Sequence, residues 1–208
     1  LTDIKPREMR SLAKRTVEEI KNVGEDYRTT MRLLGAVEEN ISPSYIQKSL
    51  MLYPELMRDK YSRDIIKDVK RSLVKWGKAG KLAIDGKYTF LAPDLYAFCE
   101  WLFLEDKNPR GLLSKGEISC NLYRDGEELD CLRSPHLYKE HAIRRNVQND
   151  LTDKWFDTKC VYTSCHDLIS KILQFDVDGD KSLVVREKQL IRLAKRNMQN
   201  IVPLYYNM

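Results

Sequence analysis

The chain has 208 residues, 42% of them apolar and 32% charged, which suits a globular protein that buries one good core or two small ones. No apolar run approaches the roughly 20 residues that cross a bilayer, so no membrane-spanning helix is predicted. The five cysteines form no CxxC pair, and their odd number argues against a disulfide framework. A reducing, cytoplasmic location is therefore expected. The net charge of +5 is compatible with a polyanionic partner without identifying one.

The first 80 or so residues are predicted to be helical. Helices are expected over residues 6–23, 26–37 and 42–54, where proline and serine supply start signals. The clearest helix is 62–76, in which apolar residues recur at helical spacing and Ser62 is the expected N-cap. Its opposite face is basic and carries Arg63, Lys67, Lys70, Arg71 and Lys75. A solvated helix face is the simpler interpretation of these charges, and nucleic-acid contact is the more specific hypothesis.

The pattern changes at Gly77. Residues 81–84 and 87–91 flank Asp85-Gly86, a pair of residues typical of a tight hairpin turn. A helix followed by a hairpin is the arrangement of a winged helix, so a basic winged-helix module that binds nucleic acid is one alternative for this chain.

The rest of the chain predicts short strands with brief helices, and hence a small β-rich domain at 81–188 between a helical region at 1–80 and a C-terminal helix in 189–208. The class is α+β. Both ends of the sequence are interpreted as cuts through a longer protein. In chain order, the expected segments are a helix at 93–103, a strand at 117–123, a turn at 125–126, a strand ending near 132, a strand at 159–163, a helix at 164–172, a strand at 183–185 and a basic helix at 187–200.

The richest chemistry lies in the segment 174–180, Gln-Phe-Asp-Val-Asp-Gly-Asp. In an extended or tightly turned chain, alternate residues face one side, so the carboxylates of Asp176, Asp178 and Asp180 converge. Gly179 allows the backbone to turn sharply. Three adjacent carboxylates repel one another unless a cation lies among them, and a hard ion such as Mg²⁺ or Ca²⁺ is the natural occupant.

Two other interpretations of this loop stay open on the sequence alone. One is an ordinary exposed acidic turn. The other is a calcium-binding EF-hand, in which Asp176 is position 1 and Glu187 falls at position 12. Against the EF-hand, the sixth position is Lys181 where the turn normally needs glycine, and Val184 at position 9 offers no ligand.

A second motif lies about 40 residues upstream of the acidic loop. The segment 132–144, Leu-Arg-Ser-Pro-His-Leu-Tyr-Lys-Glu-His-Ala-Ile-Arg, combines cations, two imidazoles and a rigid proline. A guanidinium held beside a proline, as Arg133 is, suits recognition of phosphate or sugar hydroxyls, and a structural ion pair is the alternative role for it. His136 and His141 are more often hydrogen-bonding residues than catalysts.

Together the two motifs resemble the catalytic barrel of the two-barrel RNA polymerase superfamily. That superfamily includes the largest subunit of multisubunit RNA polymerases, the RNA-dependent polymerases of RNA silencing and the single-chain polymerases of some phages. The Arg-Ser-Pro-His-Leu segment at 133–137 matches an Arg-x-Pro-x-Leu motif, and 174–180 matches Asn-Ala-Asp-Phe-Asp-Gly-Asp with Gln174 in place of the first asparagine. Residues 88–94 and 112–119 also look similar to strands of the silencing and phage enzymes, and the phage branch is the nearest.

The resemblance implies a double-psi β-barrel that transfers nucleotidyl groups to the 3′ end of RNA. By similarity, Asp176, Asp178 and Asp180 hold the catalytic Mg²⁺, and a second Mg²⁺ arrives with the ribonucleoside triphosphate. Arg133 contacts the ribose hydroxyls or the RNA 3′ end, and Lys139 and Arg144 are candidates for phosphate contact. The implied partners are a nucleic-acid template, the RNA product, ribonucleoside triphosphates and a second β-barrel from the missing part of the chain, without which this fragment is expected to be inactive.

Overall fold

The computed structural model describes residues 3–133, 136, 139–199 and 201, and the chain forms two compact units. One unit is Pro6–Ile84, and the other begins at Asp85 and includes the N-terminal residues up to Lys5. No helix in the described ranges is long and apolar enough to cross a membrane. The functional domain limits at 80 and 188 stay predictions.

The first unit is helical. Its buried core contains Met31, Ala36 and Leu50, all less than 10% exposed. The carboxylate of Asp26 caps the second helix by accepting a hydrogen bond of 2.7 Å from the backbone N–H of Thr29, which satisfies one of the amides that a helix start leaves unpaired. The elements are α1 Pro6–Asn22, α2 Tyr27–Leu34, α3 Tyr45–Leu52, a 3₁₀ helix Pro54–Arg58, and α4 Lys60–Lys78.

Helix α4 begins earlier than the sequence predicts. Its N-cap is Asp59, whose carboxylate accepts a 2.9 Å hydrogen bond from the N–H of Tyr61. The prediction of Ser62 as the cap is wrong, since Ser62 is buried inside the helix. The predicted hairpin around Asp85-Gly86 is also wrong, because residues 81–84 form no strand and Gly86 begins a strand with other partners. A winged helix is therefore excluded.

The second unit contains a closed, six-stranded β-barrel with the strand order β1-β5-β2-β4-β3-β6. The pairs β1·β5 and β2·β4 are parallel, and the other four pairs are antiparallel. Exchanging β1 with β4, β2 with β5 and β3 with β6 leaves every pairing and direction unchanged, so the barrel consists of two interlocked, equivalent halves. The strands are β1 Gly86–Pro93, β2 Glu117–Ser119, β3 Glu128–Arg133, β4 Ala142–Asn146, β5 Val161–Thr163 and β6 Lys181–Val185.

Among the described residues of this unit, four helices accompany the strands, and the predicted α+β class with a barrel and a C-terminal helix is confirmed. Strand β4 was not expected from the sequence, because its residues Ala142–Asn146 include two consecutive arginines and lack apolar alternation. The short helix α6 was not expected either. The helices are α5 Leu95–Phe103, α6 Asp150–Trp155, α7 Ile169–Leu173 and α8 Lys188–Met198.

The barrel interior is apolar and filled by side chains from all six strands and from the segments that close its ends. Removing these side chains from water provides the main driving force for closure. A second small cluster forms around the stacked rings of Phe156 and Tyr162, whose centroids are 4.4 Å apart. The buried core residues are Leu91, Ile118, Cys120, Tyr123, Leu129, Cys131, Ala142, Val161, Ile169, Leu173, Phe175 and Val184.

Two buried polar side chains fasten loops to the barrel. Asn146, at the end of β4, accepts a 2.8 Å hydrogen bond from the N–H of Cys120 and donates to the carbonyls of Cys120, Tyr123 and Arg124. Asp94, just after β1, caps α5 and also accepts hydrogen bonds from the N–H groups of residues 112 and 113. Each clamp satisfies backbone groups that burial would otherwise leave unpaired.

Candidate active site

The acidic loop connects α7 to β6 on the barrel. Helix α7 is capped at its C-terminus by Gln174, which adopts a left-handed conformation with φ of 51°. The next side chain, Phe175, is buried in the barrel core and anchors the start of the loop. At the other end, the carbonyl of Asp180 accepts a 3.0 Å hydrogen bond from the N–H of Leu91 on β1. The loop is therefore held at both ends while its middle is exposed.

The three aspartates converge, as the alternation predicts. Carboxylate oxygens of Asp176, Asp178 and Asp180 lie within 4.8 Å of one another. The chain turns at Gly179, whose φ of 128° is strained for any residue with a Cβ atom. Within the loop, Asp180 accepts a 3.2 Å hydrogen bond from the N–H of Asp176. Asp176 and Asp178 are exposed and Asp180 is half-buried, so the cluster is open to a ligand from solvent.

The charges in this cluster act on one another. The hydrogen bond that Asp178 shares with Asp176, together with the negative charge of Asp176, raises the pKa of Asp178. The same shared hydrogen bond lowers the pKa of Asp176, helped by the positive charge of Arg133. The two carboxylates thus compete for one proton, which is the behaviour of neighbouring like charges. A divalent cation at the convergence point would remove this repulsion.

Arg133 reaches the acidic loop from the end of β3. Its guanidinium donates to the backbone carbonyl of Gln174 and lies 2.9 Å from the Asp180 carboxylate, with both side chains about one-quarter exposed or less. One arginine therefore holds both ends of the loop and partly neutralises the cluster. The Nε atom of Arg133 is buried and has no hydrogen-bond partner among the described residues. Pro135 and Leu137, which complete the upstream motif, lie outside the described residues.

The other two predicted substrate-binding residues are placed differently. Arg144, on β4, forms a two-pronged ion pair with Asp167 at 2.8 and 2.6 Å, and both side chains are largely buried. Asp167 also accepts from the N–H groups of Gly116 and Ile169. This pairing occupies the guanidinium of Arg144. Lys139 is half-buried between β3 and β4. A role for either residue in substrate binding stays a prediction.

The surroundings of the loop do not match an EF-hand. An EF-hand loop lies between two helices, but residues 181–185 form strand β6. The residue at the twelfth position, Glu187, is the N-cap of α8, and its carboxylate accepts a hydrogen bond from the N–H of Gln189. The structure therefore overturns the EF-hand alternative.

Sequence reasoning did not identify a buried pair beside the upstream motif. The Nδ1 atom of His141 lies 2.7 Å from the carboxylate of Asp130, which is fully buried on β3. Burial is the largest influence on Asp130 and raises its pKa, while the hydrogen bond from His141 acts in the opposite direction. No signal in the sequence links these two residues, because only the antiparallel pairing of β3 with β4 brings them together.

A six-stranded barrel that carries three converging aspartates before its last strand, faced by an arginine from β3, has the arrangement expected of the catalytic barrel in two-barrel RNA polymerases. Comparison with known proteins supports this class. No protein-family model matches the sequence. The chain is 50% identical over 209 residues to the DNA-directed RNA polymerase YonO of Bacillus phage SPbeta. That alignment covers the whole chain and 25% of the phage polymerase, so the chain spans about a quarter of the relative's length.

A solved structure shares the fold. The RNA-dependent RNA polymerase QDE-1 from Thielavia terrestris aligns with 98% of this chain and 24% of its own, with a TM-score of 0.59 and 14% sequence identity. The resemblance to RNA polymerases that the sequence motifs predict is confirmed.

Proposed function

We propose that this chain is the catalytic-barrel segment of an RNA polymerase, which transfers nucleotidyl groups to the 3′ end of RNA and releases pyrophosphate. The observation that carries the proposal is the convergence of three carboxylates at the rim of a closed barrel, in a chain half identical to part of a phage RNA polymerase. That relative is named as DNA-directed, and we propose DNA as the template here as well.

The residues of the cluster fit a magnesium ion. All three side chains offer carboxylate oxygens, the ligand type that Mg²⁺ prefers, and their exposure leaves room for the waters that the ion retains. The pKa of Asp178 is raised by the hydrogen bond that it shares with Asp176 and then by the charge of Asp176, and a cation would offset that charge repulsion. When bound, Mg²⁺ stabilises the charge that develops as the RNA 3′-oxygen bonds to the α-phosphorus and the bond to pyrophosphate breaks.

The protein's own contribution is positioning. Phe175 and the Leu91–Asp180 backbone bond hold the loop against the barrel, so the carboxylates converge before any ligand binds. Arg133 orients Asp180 through the ion pair between the guanidinium and the carboxylate. Such preorganisation is the main way in which enzymes of this class lower their barriers, and no nucleophilic side chain is needed.

We further propose that the incoming triphosphate is bound by a second β-barrel from the rest of the longer polymerase. Described residues before Asp85 form no strand, so the helical unit does not provide one. The segment alone is then expected to be inactive.

The test is the substitution Asp178→Asn in the full-length protein, assayed for RNA synthesis on a DNA template. We expect a loss of at least about 10²-fold, the scale of removing one group that stabilises transition-state charge. The matched control is Asp125→Asn, which removes a carboxylate from a similar Asp-Gly turn. Elongation retained by the Asp178 variant, or lost equally in the control, would refute the assignment.

A further inference from the structure

Helix α4 carries a groove that the aspartate cluster does not explain. The groove has a volume of 590 Å³. It is a shallow groove on the surface of this one helix, lined by the aliphatic stems of long basic side chains around Val74, its single apolar residue. We call it the basic groove, and it is lined by Lys67, Lys70, Arg71, Val74, Lys75 and Lys78.

Positive charge is concentrated in this helix. The 19 residues of α4 contain seven basic and two acidic side chains, a net charge of +5, which equals the net charge of the whole chain. On an ideal helix with about 100° per residue, all seven basic side chains fall within an arc of roughly 140°. The charges therefore form one stripe along one face.

Local acids do not neutralise this stripe. Asp64 and Asp68 pair with Lys67 and Arg71 at 3.3 and 2.8 Å, but these are exposed pairs between neighbours three residues apart, which contribute little. Within the described ranges, no acidic side chain pairs with Lys70, Lys75 or Lys78. From residue 69 to residue 84 the sequence contains no aspartate or glutamate at all.

The form of the surface favours nucleic acid over a membrane. A helix that lies on a membrane inserts a continuous exposed apolar face. On the side of α4 away from the stripe, Ser62 and Ile66 are buried in the protein. The exposed large apolar side chains of α4 are Tyr61 near its start and Trp76, which is 51% exposed, near its end, so they form no continuous face. The groove itself presents a row of point charges over about 16 Å of helix, with no apolar anchor beyond Val74. Evenly spaced cations without an apolar anchor complement evenly spaced phosphates.

We infer that the basic groove of α4 binds the sugar-phosphate backbone of a nucleic-acid duplex, independently of sequence. The inference deepens the proposed function, because it assigns a surface of the protein to the nucleic-acid partner. It rests on the proposed function for the choice of nucleic acid as that partner. Binding through phosphates adds affinity and orientation without base recognition.

The experiment uses the chain itself and a fluorescein-labelled duplex of 20 base pairs, with binding measured by anisotropy over a range of salt concentrations. The variant replaces Lys70, Arg71, Lys75 and Lys78 with Gln, which removes four charges and retains good helix-forming residues. We expect affinity to fall at least tenfold. The salt dependence should also flatten by about 0.9 in slope for each phosphate that the variant no longer neutralises.

The matched control removes four exposed basic residues from α1 of the same unit: Arg7, Arg10, Lys14 and Lys21, each replaced with Gln. The control should bind within about threefold of the wild type. An equal loss in both variants would show a general charge effect and overturn the inference, as would unchanged binding by the groove variant. Stronger binding to vesicles containing phosphatidylserine than to the duplex would also overturn it.

Two further variants separate the possible failures. Replacing Lys70, Lys75 and Lys78 with Arg preserves the charge and should preserve binding, and circular dichroism checks that every variant is folded. Asp178→Asn should bind the duplex as the wild type does. If the polymerase assignment fails but the basic groove still binds the duplex, the inference stands. If the groove does not bind the duplex but Asp178→Asn abolishes RNA synthesis, only the inference is removed.

Discussion

Two turns of the barrel occupy equivalent positions in its two halves but have different surroundings. Asp125-Gly126-Glu127 directly precedes β3, and Asp178-Gly179-Asp180 directly precedes β6. Both glycines have positive φ, 73° and 128°. The last carbonyl of each turn accepts a backbone hydrogen bond from the strand that the symmetry makes equivalent, from Asn146 on β4 or from Leu91 on β1.

The side chains of the first turn are tied to the protein. Asp125 accepts a 2.9 Å hydrogen bond from the N–H of Gln148, and Glu127 accepts from the N–H of Arg124. Two residues before Asp125 lies Tyr123, whose ring is buried and whose hydroxyl donates to the carbonyl of Val184 at 2.6 Å. Burial raises the pKa of Tyr123 to about 12, so this position is neutral and structural.

The second turn has an aspartate where the first has that tyrosine. Asp176 thus adds a third carboxylate to a turn that already has two, and the three side chains face one another and the solvent. The difference between the turns shows that one backbone arrangement serves two purposes. Where its polar groups are paired internally it supports the fold, and where three carboxylates face one another it concentrates negative charge at a position open to solvent.

The largest expected effect concerns Asp167, an acid tied by a buried ion pair. Asp167→Asn should lower the free energy of unfolding by about 3 kcal/mol at pH 7, because Arg144 loses its buried partner. Burial alone would raise the pKa of Asp167, but the hydrogen bonds and charge of Arg144 and the two backbone donors lower it overall. The stabilisation is therefore complete above the unfolded value of 3.8 and is lost as the pH falls through the lowered folded value.

Urea unfolding of wild type and variant across pH 2.5–7 measures this difference. The difference in the free energy of unfolding between wild type and variant should be constant above about pH 5 and shrink below about pH 4. The exposed Asp153→Asn serves as the control. A gap that does not depend on pH would contradict the assignment of the effect to the Asp167 charge.

A somewhat smaller effect is expected at the clamp that supports the first turn. Asn146→Ala should cost about 2 kcal/mol, because its removal leaves buried carbonyl and amide groups around residues 120–124 without partners. Thermal and urea unfolding measure the loss. Asn121→Ala removes an exposed asparagine that makes one hydrogen bond and should change stability by less than about 0.5 kcal/mol. Similar losses from the two variants would mean that the clamp has no special role.

The affinity of the chain for Mn²⁺, measured by water-proton relaxation, tests the difference between the two turns. Asp178→Asn should weaken Mn²⁺ binding at least about tenfold, because a neutral amide replaces a charged oxygen ligand. Asp125→Asn should leave binding unchanged. If Asp178→Asn and Asp125→Asn change the affinity for Mn²⁺ equally, the two turns do not differ in cation binding, and the contrast drawn between them is wrong.

The smallest expected effect lies at Gln174, the left-handed residue at which the acidic loop leaves α7. Gln174→Asn should stabilise the protein by about 0.5 kcal/mol, because asparagine tolerates positive φ better than glutamine does. The Arg133 hydrogen bond is made to the backbone carbonyl and should persist. Gln199→Asn, at a residue with φ of −54°, provides the control and should not stabilise. Differential scanning calorimetry of the three proteins resolves the shift.

Local patterns in the sequence were sufficient to predict much of the helical unit and the convergence of the three aspartates. Alternation and a glycine bring Asp176, Asp178 and Asp180 together because their spacing is set within five residues of chain. Helix α1 follows from the proline at its first position, a start signal next to the helix that it begins. In each case the interaction is short in sequence, so the residues themselves specify it.

Tertiary structure alone decided the rest. Asp85-Gly86 looks like a hairpin turn, but Gly86 begins a strand whose antiparallel partner, β6, is almost 100 residues away. The basic side chain of Arg144 looks suited to phosphate, yet the barrel places it against Asp167. The pair formed by Asp130 and His141 likewise depends on strand register. Barrel closure brings together residues distant in sequence, and no local propensity encodes which distant partner a strand or a charge will meet.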